Sequence, residues 1–183
     1  MFNRKAKFTT AAIVLAILIA AVLIYNYAAK DNSTPKDTKS LAESSFPQTL
    51  QGLSLTQVVS GPQAIGMISK LHGSDITIKQ GYIASYQGNQ AQIMIWISES
   101  NNEKEAVQLF EVMDKKISAA GEAGSGQAPF TERRQLNFSG TDVIAVKGMG
   151  MENYYYQAGN KVYWVAAGGV DPVKTLEAIM KIL

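Results

Sequence analysis

The feature that most constrains this chain is an uncharged stretch of 22 residues near its N-terminus, from Phe8 to Ala29. Its central part, from Ala11 to Tyr25, contains only Ala, Val, Ile and Leu before the closing tyrosine. At a rise of about 1.5 Å per residue, a helix of this length spans a bilayer core of roughly 30 Å. The sequence therefore predicts a transmembrane anchor over 8–29, which holds the protein in the lipid bilayer of the cell membrane.

The charges on either side of this stretch predict its orientation. Arg4, Lys5 and Lys7 precede the stretch, whereas Lys30 and Asp31 follow it and cancel each other. An excess of positive charge stays on the cytoplasmic side of a membrane segment. We therefore expect a single-pass protein with a short cytoplasmic basic tail over 1–7 and the rest of the chain outside the cytoplasm.

A cleaved signal peptide is the alternative interpretation of the same stretch. Signal peptides have apolar cores of about 7–15 residues and end at a small-x-small cleavage site. The stretch here is longer, and a cut after Ala29 would place the bulky Tyr27 at a position that favours a small residue. Both interpretations put the folded part of the chain outside the cytoplasm.

The segment that follows the stretch predicts a tether and then one domain. Residues 30–45 are polar, contain Pro35 and lack aromatic side chains, so they cannot bury enough apolar surface to fold. The remaining chain has the length of a single domain. We expect a flexible tether over 30–45 and a folded extracytoplasmic domain over 46–183.

Composition narrows the classes of function that this domain could have. Four of the 17 basic residues lie within the first 30 positions and all 15 acidic residues follow them, so the domain side is slightly acidic. A near-neutral domain argues against nucleic-acid binding, and the pairs Arg133-Arg134 and Lys115-Lys116 are expected on solvated faces. The absence of cysteine excludes disulfides, thiol nucleophiles, iron–sulfur clusters and cysteine-bound zinc.

Helix signals predict three helices in the domain. Two capping boxes, Ser60–Gln63 and Ser100–Glu103, each precede apolar residues that recur every three or four positions. The pair Asp171-Pro172 has an N-cap residue followed by proline at the first helical position. The third predicted helix follows this pair to Leu183.

Alternating residues between turn signals predict about six strands, at 76–86, 91–98, 131–138, 142–147, 152–157 and 161–167. Short turns join most neighbours, so these strands should pair antiparallel. The second strand is apolar on both faces, which is typical of a central position. We therefore expect an α+β fold, with one mostly antiparallel sheet and all three helices packed on one of its faces.

An aromatic group is the candidate binding surface. It comprises Tyr154, Tyr155, Tyr156, Tyr163 and Trp164, on two neighbouring predicted strands. Side chains alternate between the faces of a strand, so aromatic rings should occupy both faces, and helices on one face would leave the other uncovered. We expect at least two rings to be exposed, with Tyr155 and Tyr163 foremost. The alternative is cross-strand aromatic pairing beneath a helix.

The sequence predicts no metal site and no cofactor. His72 is the only histidine, and it lies at the expected C-terminal end of a helix, where its ring interacts favourably with the helix terminus. Met149 and Met151 form a Met-x-Met pair of the kind that can bind Cu(I), but flanking glycines favour a hairpin turn. A structural role is therefore expected for each.

Carboxylates were the remaining candidates for catalysis, because paired acidic groups can serve as general acid and base. Glu99 and Glu103 lie around a strand-to-helix junction, and Asp142 and Glu152 lie near hairpin ends. Neither spacing forces two carboxylates together. The sequence predicts no catalytic residues.

These observations predict a non-enzymatic, membrane-anchored interaction or ligand-binding domain. We expect an accessory or assembly subunit of a membrane complex, with a protein partner in or at the membrane and no nucleic acid. The alternative is a small extracytoplasmic hydrolase that depends on carboxylates. Two carboxylates converging in a deep pocket would favour the hydrolase, whereas an aromatic patch at the membrane end would favour the subunit.

Overall fold

A computed structural model of the protein describes residues 45–72, 76–122 and 129–183. The predicted basic tail, anchor over 8–29 and tether up to residue 44 lie outside these ranges. None of the helices within them is both long enough and apolar enough to cross a membrane.

The described chain forms eight strands and three helices, and the predicted α+β class is confirmed. The strands are β1 (Thr49–Leu50), β2 (Leu53–Ser60), β3 (Gln80–Gly88), β4 (Ala91–Glu99), β5 (Thr131–Phe138), β6 (Thr141–Gly148), β7 (Met151–Ala158) and β8 (Lys161–Gly168). The helices are α1 (Gly61–His72), α2 (Glu103–Glu122) and α3 (Pro172–Ile182). The expected number of about six strands is too low, because β1 and β2 were not predicted.

All eight strands form one antiparallel sheet in the order β1-β2-β3-β4-β8-β7-β6-β5. The two halves of the sheet meet where β4 pairs with β8, with Trp96 directly opposite Trp164. The predicted central position of the strand that is apolar on both faces is therefore confirmed. β5 and the β1-β2 hairpin form the two edges.

Helices cover both faces of the sheet, so the expected packing of all three on one face is wrong. α3 packs on one face through Leu176 and Ile179, in a cluster that also contains Phe46. α1 and α2 pack on the opposite face, through Ile68 and Met113 among others. Because β4 and its neighbours are apolar on both sides, each face needs its own cover.

The helix N-termini show one confirmed cap and one that lies two residues later than predicted. Asp171 accepts hydrogen bonds from the backbone at the start of α3, with proline at the first turn as expected. At α2 the capping residue is Asn102, whose Oδ1 accepts from the backbone N–H of Glu105 at 3.0 Å. The Glu105 carboxylate in turn accepts from the backbone N–H of Asn101, the residue before the cap, at 3.2 Å, an arrangement similar to a capping box.

Candidate functional site

The aromatic group forms two stacked pairs across β7 and β8. Tyr155 lies directly opposite Trp164, with ring centroids 5.0 Å apart and planes inclined by 7°. Tyr156 lies opposite Tyr163, at 4.7 Å and 8°. Since neighbouring residues point to opposite faces, the first pair lies beneath α2 and the second belongs to the cluster under α3.

The expected exposure of Tyr155 and Tyr163 is wrong, because these side chains are only 0% and 5% exposed. Tyr154 and Tyr156 are buried as well, and Trp164 is half-buried. The reason is that helices cover both faces: α2 covers Tyr155, and α3 covers Tyr163 on the opposite face. The rings therefore belong to the hydrophobic core, as the alternative of cross-strand pairs beneath a helix predicts. Binding of a ligand or partner by these residues stays a prediction.

A polar network links the first aromatic pair to α2 and to the edge strand β5. The hydroxyl of Tyr155 donates a 2.7 Å hydrogen bond to Asp114 Oδ1. Arg133 donates to both oxygens of the same carboxylate, from Nε at 2.9 Å and from Nη2 at 2.8 Å. Sequence reasoning missed this network, because Asp114 and Arg133 belong to different elements and no local spacing signals their contact.

The electrostatics of the network follow from this geometry. Burial by itself would raise the pKa of Asp114, but the hydrogen bonds from Arg133 and Tyr155 outweigh it and hold the pKa below its ordinary value. Burial and the bond to Asp114 both raise the pKa of Tyr155. Tyr155 is therefore a neutral donor and Asp114 an ionised acceptor at neutral pH, an arrangement suited to holding α2 on the sheet.

A cleft of about 330 Å³ lies at the turn between β6 and β7. It is lined by Lys147, Gly148, Gly150, Met151 and Glu152. Its charged groups have partners from the edge strand, since Glu152 pairs with Arg134 and Lys147 pairs with Glu132 at 2.8 Å. The lining thus carries balanced charge, with no excess to favour an ionic ligand of one sign.

The neighbouring residues Arg133 and Arg134 on β5 point to opposite faces of the sheet. Arg133 binds Asp114 on α2, whereas Arg134 binds Glu152 on β7. The expectation that this pair lies on a solvated face is correct only in part, because both side chains are partly exposed yet each has an acidic partner.

The carboxylates weighed for catalysis have separate surroundings. Asp142 lies beside the β5–β6 turn and accepts a 2.8 Å hydrogen bond from the Asn137 side chain. Glu152 lies on β7, directly opposite Lys147 at the other end of β6. Glu99 pairs with Lys79 at 3.5 Å. The residue pairing thus separates Asp142 from Glu152 along the hairpin instead of bringing them together.

The candidates for metal binding are also dispersed. Met149 is 45% exposed at the β6–β7 turn, while Met151 Sδ accepts from the Gln92 amide at 3.3 Å. His72 is the last residue of α1, and its side chain lies outside the part that the structure describes. Within the described ranges, no three residues among His, Cys, Asp and Glu are grouped so that they could hold a metal ion.

The two edges of the sheet differ in chemistry. β5 is exposed along its first five residues, Thr131–Gln135, carries three charged side chains and has a register shift between Thr131 and Arg134. β2 also has a register shift, between Leu55 and Gln57, but no charged residue along its whole length. β1 pairs with β2 only at Leu53 and Ser54, so among the described residues the outer side of β2 has no strand neighbour from Thr56 to Ser60.

Comparisons with known proteins give one distant likeness. No family model matches the chain, and no curated protein matches it. A solved structure described as a GTP binding regulator from Thermotoga maritima aligns with 80% of this chain and 87% of its own length, at 12% identity and a TM-score of 0.48. A likeness at this level carries no inference about function.

Proposed function

We propose that this protein is a membrane-anchored, non-enzymatic interaction domain, held outside the cytoplasm as an accessory or assembly subunit of a membrane complex. The proposal rests on two parts of the chain. The uncharged run over 8–29 and the basic residues before it support the anchor and its orientation. The described domain supports the interaction role.

One observation carries the interaction role, namely the open edge of β2. An edge strand presents a row of backbone N–H and C=O groups to which another strand can add. In β2 the open part of this row runs from Thr56 to Ser60 and carries no charge, so no charged side chain there repels an incoming segment. The opposite edge carries Glu132, Arg133 and Arg134, which are the kind of residues that discourage strand addition.

The hydrolase alternative lacks a comparable observation. The three least exposed carboxylates among the described ion pairs each have a cationic partner: Glu152 pairs with Arg134, Glu99 with Lys79 and Asp114 with Arg133. At Asp114 the hydrogen bonds from Arg133 and Tyr155 outweigh burial and hold the pKa of the carboxyl below its ordinary value, so this group lacks the raised pKa of a general acid.

A topology experiment tests the anchor. In intact cells that produce the full chain with a C-terminal tag, added protease should remove the tag and the domain from the membrane fraction. A matched variant that lacks residues 8–29 should leave the membrane fraction and escape the protease. Protection of the wild-type domain until the membrane is opened would overturn the proposed orientation.

A second experiment tests the interaction role. Membranes that contain the tagged full chain are treated with a cross-linker and solubilised in mild detergent. We expect one protein species, either another membrane protein or a second copy, in constant ratio to the tagged chain. A tagged chain recovered alone after cross-linking would contradict the proposal.

A further inference from the structure

We draw no further inference here: the strongest candidate, the uncharged outer edge of β2 from Thr56 to Ser60, carries nothing beyond the proposed interaction role, because nothing among the described residues shows what covers it.

Discussion

The hydroxyl of Tyr155 donates its hydrogen bond to Asp114, and this contact joins the middle of β7 to α2. The contrast is Tyr86 on β3, whose side chain is also 0% exposed but whose hydroxyl has no hydrogen-bond partner among the described residues. Burial raises the pKa of Tyr86 to about 12. The two tyrosines are thus buried to a similar extent, but within the described residues only the hydroxyl of Tyr155 forms a hydrogen bond.

This contrast predicts opposite effects of removing the hydroxyl. Tyr155→Phe deprives an ionised carboxylate of a donor, and we expect it to lower the free energy of unfolding by about 1.5 kcal/mol. Tyr86→Phe removes a buried hydroxyl that forms no bond, so we expect no loss or a small gain. Urea unfolding followed by circular dichroism measures both, and equal losses in the two variants would contradict the assignment.

Acid should weaken the contact of Asp114 with its partners. Its folded pKa lies below the ordinary value, so its contribution to stability is present above about pH 4 and is lost as pH falls through the folded pKa. We expect the difference in unfolding free energy between wild type and Asp114→Asn to be largest at neutral pH and to shrink in acid. Urea titrations at several pH values measure it, and a constant difference would count against an ionised Asp114.

The cap of α2 gives a third prediction. Asn102→Ala removes the acceptor at the helix N-terminus and should lower the free energy of unfolding by about 1 kcal/mol. Ser100→Ala is the matched control, because its buried hydroxyl has no partner among the described residues and its loss should cost little. A larger loss of unfolding free energy for Ser100→Ala than for Asn102→Ala would contradict this assignment and indicate that Ser100 is the N-cap residue, as the sequence predicts.

Two glycines give a fourth prediction. At Gly148 a Cβ atom would overlap the ring of Phe130 and the carbonyl of Pro129, so Gly148→Ala should cost about 1–3 kcal/mol. Gly66 lies within α1, where a Cβ atom meets nothing within 4 Å. Gly66→Ala should therefore raise stability by about 0.5–1 kcal/mol. Thermal unfolding of both variants distinguishes them, and destabilisation by Gly66→Ala would show that α1 is packed differently.

The sequence predicted those elements whose signals are local. The strands from Thr131 to Gly168 have clear turns, and α3 has a strong cap, so their existence and order were read correctly. β2 was missed because it is an edge strand with a register shift between Leu55 and Gln57, which breaks the alternation of buried and exposed residues. β1 was missed because its two residues are too few to show a periodic pattern.

Contacts between distant segments could not be predicted. The pairing of β4 with β8 joins parts of the chain separated by α2 and three strands, and no turn signals it. This pairing decides which helix covers which face, and hence whether Tyr155 and Tyr163 are buried. The ion pair of Arg133 with Asp114 likewise depends on where α2 crosses the sheet.

The pairing of β4 with β8 also limits the order in which the sheet can assemble. Strands β1 to β4 and strands β5 to β8 each assemble from sequence neighbours, but the two halves join only along the ladder from Glu99–Lys161 to Gln92–Gly168. Until β8 is in place, the apolar strand β4 has an unpaired side along its whole length. Slow, non-local closure of this kind exposes a folding chain to wrong strand partners. That exposure ends only when β8 pairs with β4.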